Sequence, residues 1–158
     1  MNLIRKSFGL LSLAVMTLPF AAAAQGHSSS ESQEHESRNE IVLAIGLIHE
    51  GRDNDIAAAI EYGHRLTDKW STGIIFERLW GDQTSSIIAV PIVRKLDGWN
   101  AMIAPGVERR SSGDEALVRI GASWHVETSA GPFVPMVAVD ILDDEAILIL
   151  SAGLAFEF

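Results

Sequence analysis

The sequence contains no cysteine, and Lys and Arg together account for only 12 of its 158 residues. The absence of cysteine excludes a disulfide-stabilised scaffold and any metal site built on thiolates. Acidic residues number 21, and the formal net charge of -9 makes the chain a poor ligand for nucleic acid. We therefore expect no nucleic-acid partner.

Long apolar runs are also scarce, because only the first residues approach the roughly 18 apolar residues that a membrane-spanning helix requires. There, Arg5 and Lys6 precede an apolar run over residues 8–20 and then a run of alanines. A positive end, an apolar core and small residues at a cleavage site are typical of a secretory signal peptide. We predict a signal peptide over residues 1–24, cleaved after Ala24. The alternative, an uncleaved membrane anchor, is disfavoured because the run is short.

The next stretch, QGHSSSESQEHESRN over residues 25–39, has no apolar periodicity and is rich in Ser, Glu and His. This composition predicts a disordered polar tether. His27 and His35 lie here, but no fixed spacing organises them and the nearby glutamates into a metal site. We expect no metal and no other cofactor.

The remaining residues, 40–158, are divided by clusters of Gly, Asp, Ser and Thr into eight segments with strand-like alternation. Their lengths fit the roughly 9–11 residues of a tilted membrane-crossing strand. The predicted fold is all-β, an eight-stranded antiparallel up-and-down transmembrane barrel. The segments cover about residues 40–50, 56–66, 70–80, 85–95, 99–109, 115–126, 133–141 and 146–158.

The two faces of these segments differ, which indicates the surroundings of the barrel. In the last segment one face carries residues such as Leu148 and Phe156, whereas the other carries Ser151, Gly153 and Glu157. Small and charged residues suit the cramped lumen of a narrow barrel, so we expect the apolar face to contact membrane lipid.

The aromatic residues are predicted to gather at two membrane levels, as aromatic residues at membrane interfaces do. If the N-terminus is periplasmic, Phe76 and Trp80 belong to the outer level. The periplasmic level then contains Tyr62, Trp70, Trp99, Trp124, Phe133, Phe156 and Phe158.

The signal peptide, the eight segments and the terminal LILSAGLAFEF resemble the small eight-stranded outer-membrane barrels of Gram-negative bacteria, the OmpA/OmpX-like group. The resemblance implies export to the outer membrane, contact with outer-membrane lipid and a monomeric state. It also implies that the barrel-insertion machinery of that membrane is a partner and reads the last strand. The implied assembly signal consists of Leu150, Ala152, Leu154, Phe156 and Phe158.

The inward face carries several charged residues, which must be paired if they are buried. The hairpin around residues 127–130 sets Arg119 nearly opposite Asp140, and Glu108 is expected on the other flank of Arg119. The network either fills the barrel as a salt-bridge plug or gates a narrow path that favours cations. The predicted lumen network is Glu61, Glu77, Glu108, Arg119 and Asp140.

The positions of the histidines and serines disfavour an enzyme. Acyl hydrolysis needs a nucleophile beside a His and an acid. His49 is predicted at the outer end of the first segment, and Ser85 and Ser86 near the outer end of the fourth, which is not its neighbour. We therefore predict no catalytic residue and no enzymatic activity.

Proline gives rise to one alternative function. Pro91 and Pro105 lie in neighbouring segments, where each removes a hydrogen-bond donor, so we expect a bulge or a weak seam between the fourth and fifth segments. The leading hypothesis is a non-enzymatic outer-membrane barrel with a structural or narrow-channel role. The alternatives are a carrier that passes lipid or a small apolar solute through that seam, and a soluble periplasmic ligand-binding barrel.

Overall fold

The computed structural model describes residues 38–50, 53–81, 84–129, 131–143 and 145–158. The predicted signal peptide and nearly all of the predicted tether lie outside these residues. No helix in the described ranges is long and apolar enough to cross a membrane. The strands are β1 (Asn39–Glu50), β2 (Asp53–Thr67), β3 (Trp70–Trp80), β4 (Ser85–Ala89), β5 (Ile92–Leu96), β6 (Trp99–Arg110), β7 (Gly113–Ser123), β8 (Phe133–Ile141) and β9 (Ala146–Glu157).

All strand pairs are antiparallel, and the sheet closes on itself where β1 pairs with β9, from Glu40 opposite Glu157 to His49 opposite Leu148. Strands β4 and β5 both lie between β3 and β6, so together they form one strand of the barrel. The barrel therefore has eight strands, and the predicted fold is confirmed. β1 begins at Asn39, one residue before the predicted start of the barrel.

The interruption at residues 90–91, between β4 and β5, does not shift the register. Opposite β6, Ala89 pairs with Gly106 and Ile92 pairs with Ile103, so both chains advance by the same number of residues. The register against β3 is equally continuous. A bulge would add a residue to one strand only, so the expected bulge at the prolines is wrong.

The seam between β4 and β6 is also held together at the prolines. The Val90 amide donates a hydrogen bond to the Pro105 carbonyl oxygen at 2.9 Å. Because successive residues of a strand point their amides to opposite neighbours, the Pro91 nitrogen faces β3 and has no hydrogen to donate. There the Thr72 hydroxyl donates to the Pro91 carbonyl oxygen at 2.9 Å. The donor missing at Pro91 therefore faces β3, whereas the donor missing at Pro105 faces β4. Because the two gaps do not coincide, no lateral opening forms.

Glycine allows neighbouring strands to approach closely on the inward face. A Cβ atom at Gly106 would lie 2.7 Å from the Ala89 Cβ, and one at Gly153 would lie 2.6 Å from the Leu43 carbonyl oxygen. Both distances are shorter than a packed side chain tolerates, so these positions need glycine for the strands to coil this tightly.

The two faces of the strands follow the predicted alternation. In β1, for example, Ile45 is 71% exposed on the outward face, whereas the inward-facing Ile48 is 2% exposed. A continuous apolar surface of this kind suits hydrocarbon, where it costs nothing to expose. Other exposed outward residues include Leu43, Leu47, Ile56, Ile60, Ile74, Ile88, Ile103, Ile120 and Leu150.

The barrel has two distinguishable ends. The terminal end carries Asn39 and Phe158, and the far end is where β1 leads to β2, β3 to β4, β6 to β7 and β8 to β9. Trp80 lies at the far end of β3, and Phe76 lies on the same face four residues before it. The aromatic residues predicted at the other level are exposed near the terminal end: Tyr62, Trp70, Trp99, Trp124, Phe133, Phe156 and Phe158.

Candidate functional site

The centre of the lumen is organised by Arg119, which points inward from β7 and is 0% exposed. Arg119 pairs in register with Asp140 of β8. Its Nε donates to Asp140 Oδ1 at 2.7 Å, and its Nη2 donates to Asp140 Oδ2 at 2.8 Å. This two-point geometry is the strongest that a guanidinium and a carboxylate form, and it fixes the plane of the arginine side chain.

The same guanidinium also reaches the opposite wall of the barrel. Arg119 Nη1 donates to Glu77 Oε2 at 2.9 Å, and Nη2 donates to Glu77 Oε1 at 3.1 Å. Glu77 belongs to β3, which is separated from β7 by β6 and by β4 with β5. We call Arg119, Glu77 and Asp140 the cross-barrel brace. With all three groups ionised the brace carries one excess negative charge.

Glu108 does not belong to this brace. The register between β6 and β7 places Ala104 opposite Arg119, so the prediction that Glu108 flanks Arg119 is wrong. Glu108 lies nearer the far end and is 3% exposed, and it accepts a hydrogen bond from Arg110 Nη2 at 2.9 Å. Arg110 also lies 3.9 Å from Glu115, which makes a second ionic group at the far end.

Between the brace and the far end, the lumen is filled by apolar side chains. They pack into one buried cluster together with smaller residues such as Ala57 and Ala104. A hydrated ion would have to separate them to pass. We call this group the apolar layer, and its large members are Ile48, Leu79, Ile87, Leu117, Leu142, Ile147 and Ile149.

On the terminal side of the brace, the lumen contains a cavity of about 90 Å³. A single water needs roughly 10–15 Å³ by this measure, so the cavity has room for several. Its wall includes the Glu61 carboxylate and the Ser151 hydroxyl, and the Ser151 oxygen is buried without a hydrogen-bond partner among the described residues. Apolar side chains such as Val42 and Met136 line the rest.

The cavity is bounded toward the terminal end by a histidine that the sequence had not identified as a site residue. His125 Nε2 lies 3.0 Å from Glu40 Oε2, and His125 Nδ1 lies 3.3 Å from the Asn100 side-chain nitrogen. His125 follows the end of β7, and its hydrogen bond with Glu40 raises the pKa of the imidazole above its usual value. The inward parity of His125 was visible in the sequence, but its partner lies on β1, which is not a neighbour of β7.

Beyond His125 the lumen widens into a vestibule of about 310 Å³ at the terminal end. Its rim carries charges of both signs, including Arg65, Lys95, Glu127 and Glu157. The described lumen is therefore open at one end, narrows at His125 and Glu40, and ends at the brace and the apolar layer.

The residues considered for catalysis stay apart. His49 Nδ1 lies 2.9 Å from Asn54 Oδ1, and β1 pairs only with β2 and β9. On β4, Ser86 accepts a hydrogen bond from Arg78, whereas the buried Ser85 hydroxyl has no partner among the described residues. Within the same described ranges, no group of three or more His, Asp or Glu side chains could hold a metal ion.

Four residues of the implied assembly signal lie on the outward face of β9, where the barrel closes, and Phe158 directly follows that strand. Phe156 pairs with Ile41 and Leu154 pairs with Leu43, and the Phe158 amide donates to the Asn39 carbonyl oxygen at 3.0 Å. The residues of the signal are Leu150, Ala152, Leu154, Phe156 and Phe158. Their recognition by insertion machinery stays a prediction.

Comparison with known proteins reveals similarity in structure but not in sequence. No protein-family model matches the chain, and no curated protein matches it. The outer membrane protein Ail of Yersinia pestis, solved in a phospholipid bilayer nanodisc, aligns with a TM-score of 0.56 and 12% identity over 77% of this chain and 100% of that one. The N-terminal β-barrel domain of Pseudomonas aeruginosa OprF aligns with a TM-score of 0.52 and 12% identity over the same shares. A designed transmembrane β-barrel aligns with a TM-score of 0.56 and 9% identity over 74% of this chain and 95% of that one.

These matches bear on the fold alone. The chain has the closed eight-stranded fold of the small outer-membrane barrels, as its resemblance to the OmpA/OmpX-like group indicated.

Proposed function

We propose that this chain is a non-enzymatic β-barrel of a Gram-negative outer membrane, that its role is structural, and that its lumen does not conduct. The exposed Ile, Leu, Val and aromatic side chains of the outward face support the membrane location. The similarity in fold to transmembrane barrels supports it as well. Outer-membrane lipid and the barrel-insertion machinery are the partners included in this proposal, and the barrel acts as a monomer.

The observation that carries the structural role is the cross-barrel brace beneath the apolar layer. Arg119 is fully buried and makes four hydrogen bonds to two carboxylates on opposite walls. Opening a path would leave these buried charges without partners, which is costly. The apolar layer adds a second barrier, because its own side chains cannot solvate an ion, and the Glu108 carboxylate buried at that end is already paired with Arg110. A lumen that is blocked at two levels, by the brace and by the apolar layer, fits a structural protein better than a pore.

Recording from planar lipid bilayers tests this proposal. The refolded barrel should carry no measurable current, and its insertion is checked by faster gel migration of unheated than of boiled protein. Arg119→Ala should also carry no current, because the apolar layer remains. A cation-selective current from the wild-type barrel would contradict the proposal. It would favour the second candidate, a narrow channel, which the acidic cavity around Glu61 supports.

The other two alternatives have less support. A lateral carrier needs an opening between β4 and β6, but the Val90 amide bonds to Pro105 across that seam. A soluble ligand-binding barrel needs a polar outer surface, but the outward face is apolar. Recovery of the mature protein in the soluble periplasmic fraction, with no heat-dependent gel shift, would restore the soluble alternative.

A further inference from the structure

The outward face is nearly free of charge, and the exceptions are unevenly placed. Among the strand residues whose side chains the structure describes, the charged groups with outward parity are Arg78, Arg94, Arg109 and Asp114. Three of these four are basic in a chain whose acidic residues outnumber its basic ones. The carboxylates of the barrel wall are mainly turned inward.

Two of these arginines flank a serine on adjacent strands. Arg78 of β3 pairs with Ser86 of β4, and Ser86 pairs with Arg109 of β6. All three residues lie one or two positions from the far ends of their strands. Because neighbouring strands are about 4.8 Å apart, the two arginines start roughly 10 Å from each other, with the hydroxyl between them. We call these three residues the arginine–serine row.

The existing contacts leave the row with unused donors. Arg78 Nη1 donates to Ser86 Oγ at 2.6 Å. Arg109 Nε lies 3.6 Å from Asp114 Oδ2, and the two side chains are 65% and 59% exposed. A pair so exposed contributes little and is easily rearranged. Each guanidinium has five N–H donors, and hydrocarbon offers no acceptor for them.

Arg94 provides a contrast on the same face. It lies near the terminal end, with its guanidinium carbon 5.5 Å from the centre of the Trp70 ring. An arginine over an aromatic ring at the membrane interface is already stabilised there. Arg94 is therefore an outward-facing arginine like Arg78 and Arg109, but it does not belong to a pair of arginines on either side of a serine.

We infer that Arg78, Ser86 and Arg109 bind the phosphate of a lipid headgroup in the leaflet at the far end. Phosphate offers several acceptor oxygens and up to two negative charges, and it matches the guanidinium fork. Because the row is one or two residues from the strand ends, a barrel that spans the bilayer would hold it at the depth of the headgroups. This inference rests on the proposed membrane location, and it names a lipid class that the barrel holds.

Lipid association measured by electron paramagnetic resonance tests the inference. The refolded barrel is placed in phosphatidylcholine vesicles with spin-labelled phosphatidic acid, and the association constant of the label relative to phosphatidylcholine is determined. Arg78→Gln and Arg109→Gln should each lower this constant by about fivefold, because the attraction of one basic side chain near a membrane surface for an anionic lipid corresponds to about that factor. The matched control Arg94→Gln should change it by less than about twofold.

Two further variants separate shape from charge. Arg78→Lys keeps the charge but loses the fork, so its association constant should fall between those of wild type and Arg78→Gln. Ser86→Ala should lower the constant less than either Arg→Gln change. An equal loss in Arg94→Gln, or no loss in Arg78→Gln and Arg109→Gln, would overturn the inference. Release of the labelled lipid by inorganic phosphate would also overturn it, since the occupant would then be a free anion.

The same samples distinguish this inference from the proposed function. If the barrel fails to insert into phosphatidylcholine vesicles, as judged by the heat-dependent gel shift, the membrane location itself fails. If it inserts but has no preference for phosphatidic acid, only the arginine–serine row is refuted.

Discussion

The two halves of the lumen are built from inward positions of the same strands, yet one half is filled and the other is hollow. In the far half these positions carry large side chains such as Ile48, Ile87 and Leu117, which pack into one cluster. In the terminal half they include small residues such as Ala44 and Ser151, which leave the cavity of about 90 Å³. The strand number fixes the width of a barrel. Side-chain size therefore decides where this one is closed.

The brace lies at the boundary between these halves, which explains how a fully buried arginine is tolerated. Its Asp140 and Glu77 partners satisfy the guanidinium, and the hollow half beside it is large enough for water. The lumen is therefore closed by two parts, one ionic and one apolar, and separate substitutions can remove each of them.

The largest effect is expected from removal of the ionic part. Arg119→Ala leaves Glu77 and Asp140 without their cation, and loss of a buried partner commonly costs about 3–5 kcal/mol, less where water enters. The free energy of unfolding, measured in urea with lipid present, should fall accordingly. Adding Asp140→Asn should restore part of the loss, because one unpaired charge is removed.

Arg94→Ala serves as the control for that experiment, because Arg94 lies on the outer surface of the same barrel. Its free energy of unfolding should change far less. An Arg119→Ala barrel as stable as wild type would contradict the view that the brace holds the two walls together.

A somewhat smaller effect is expected from thinning of the apolar layer. Ile87→Ala opens a cavity in the far half, and such truncations cost about 2–5 kcal/mol. Its neighbour Ile88 is 38% exposed on the outward face, where lipid chains can fill the space. Ile88→Ala should therefore lower the free energy of unfolding by less than Ile87→Ala. Equal losses would mean that the far half is not packed more tightly than the lipid contact.

The smallest effect concerns the entrance to the hollow half. The raised pKa of His125 means that protonation stabilises the folded barrel. This stabilisation is complete below the usual histidine pKa of about 6.5 and is lost as the pH rises through the higher folded value. The pair is about one-third exposed, so the contribution should stay below about 1 kcal/mol.

The free energy of unfolding in urea is measured for wild type and for His125→Gln, once below the usual histidine pKa and once above the raised pKa of His125. The advantage of wild type over the variant should be larger at the lower pH. A constant difference across the range would mean that the contact with Glu40 has no ionic part.

Features with a period of two residues were predictable from the sequence, and features that span the lumen were not. The alternation of Leu150 with Ser151, and of Ile120 with Arg119, assigns the two faces without any knowledge of the fold. The pairing of Arg119 with Asp140 follows from counting back from the hairpin. The contact of Arg119 with Glu77 depends on the tilt and stagger of the whole barrel, which no local pattern encodes.

The misplacement of Glu108 has a simple cause. Glu108 and Arg119 share the inward face, but a shared face does not make two side chains neighbours. The turn between β6 and β7 pairs Arg110 with Gly113, so Ala104 lies opposite Arg119 and Glu108 lies four residues nearer the far end, opposite Glu115. The predicted segments, with residue 109 opposite residue 115, would also have placed residue 105 and not Glu108 beside Arg119. Register, and not parity alone, decides which inward residues meet.

The meeting of β1 and β9 has a consequence for the way the barrel closes. Asn39 and Phe158 exchange backbone hydrogen bonds of 3.3 and 3.0 Å, although nearly the whole barrel lies between them in the chain. The closing pair is thus among the contacts most distant in sequence, which are the slowest kind to form. Until β1 and β9 meet, each presents an unpaired strand edge, which water or a helper protein has to cover.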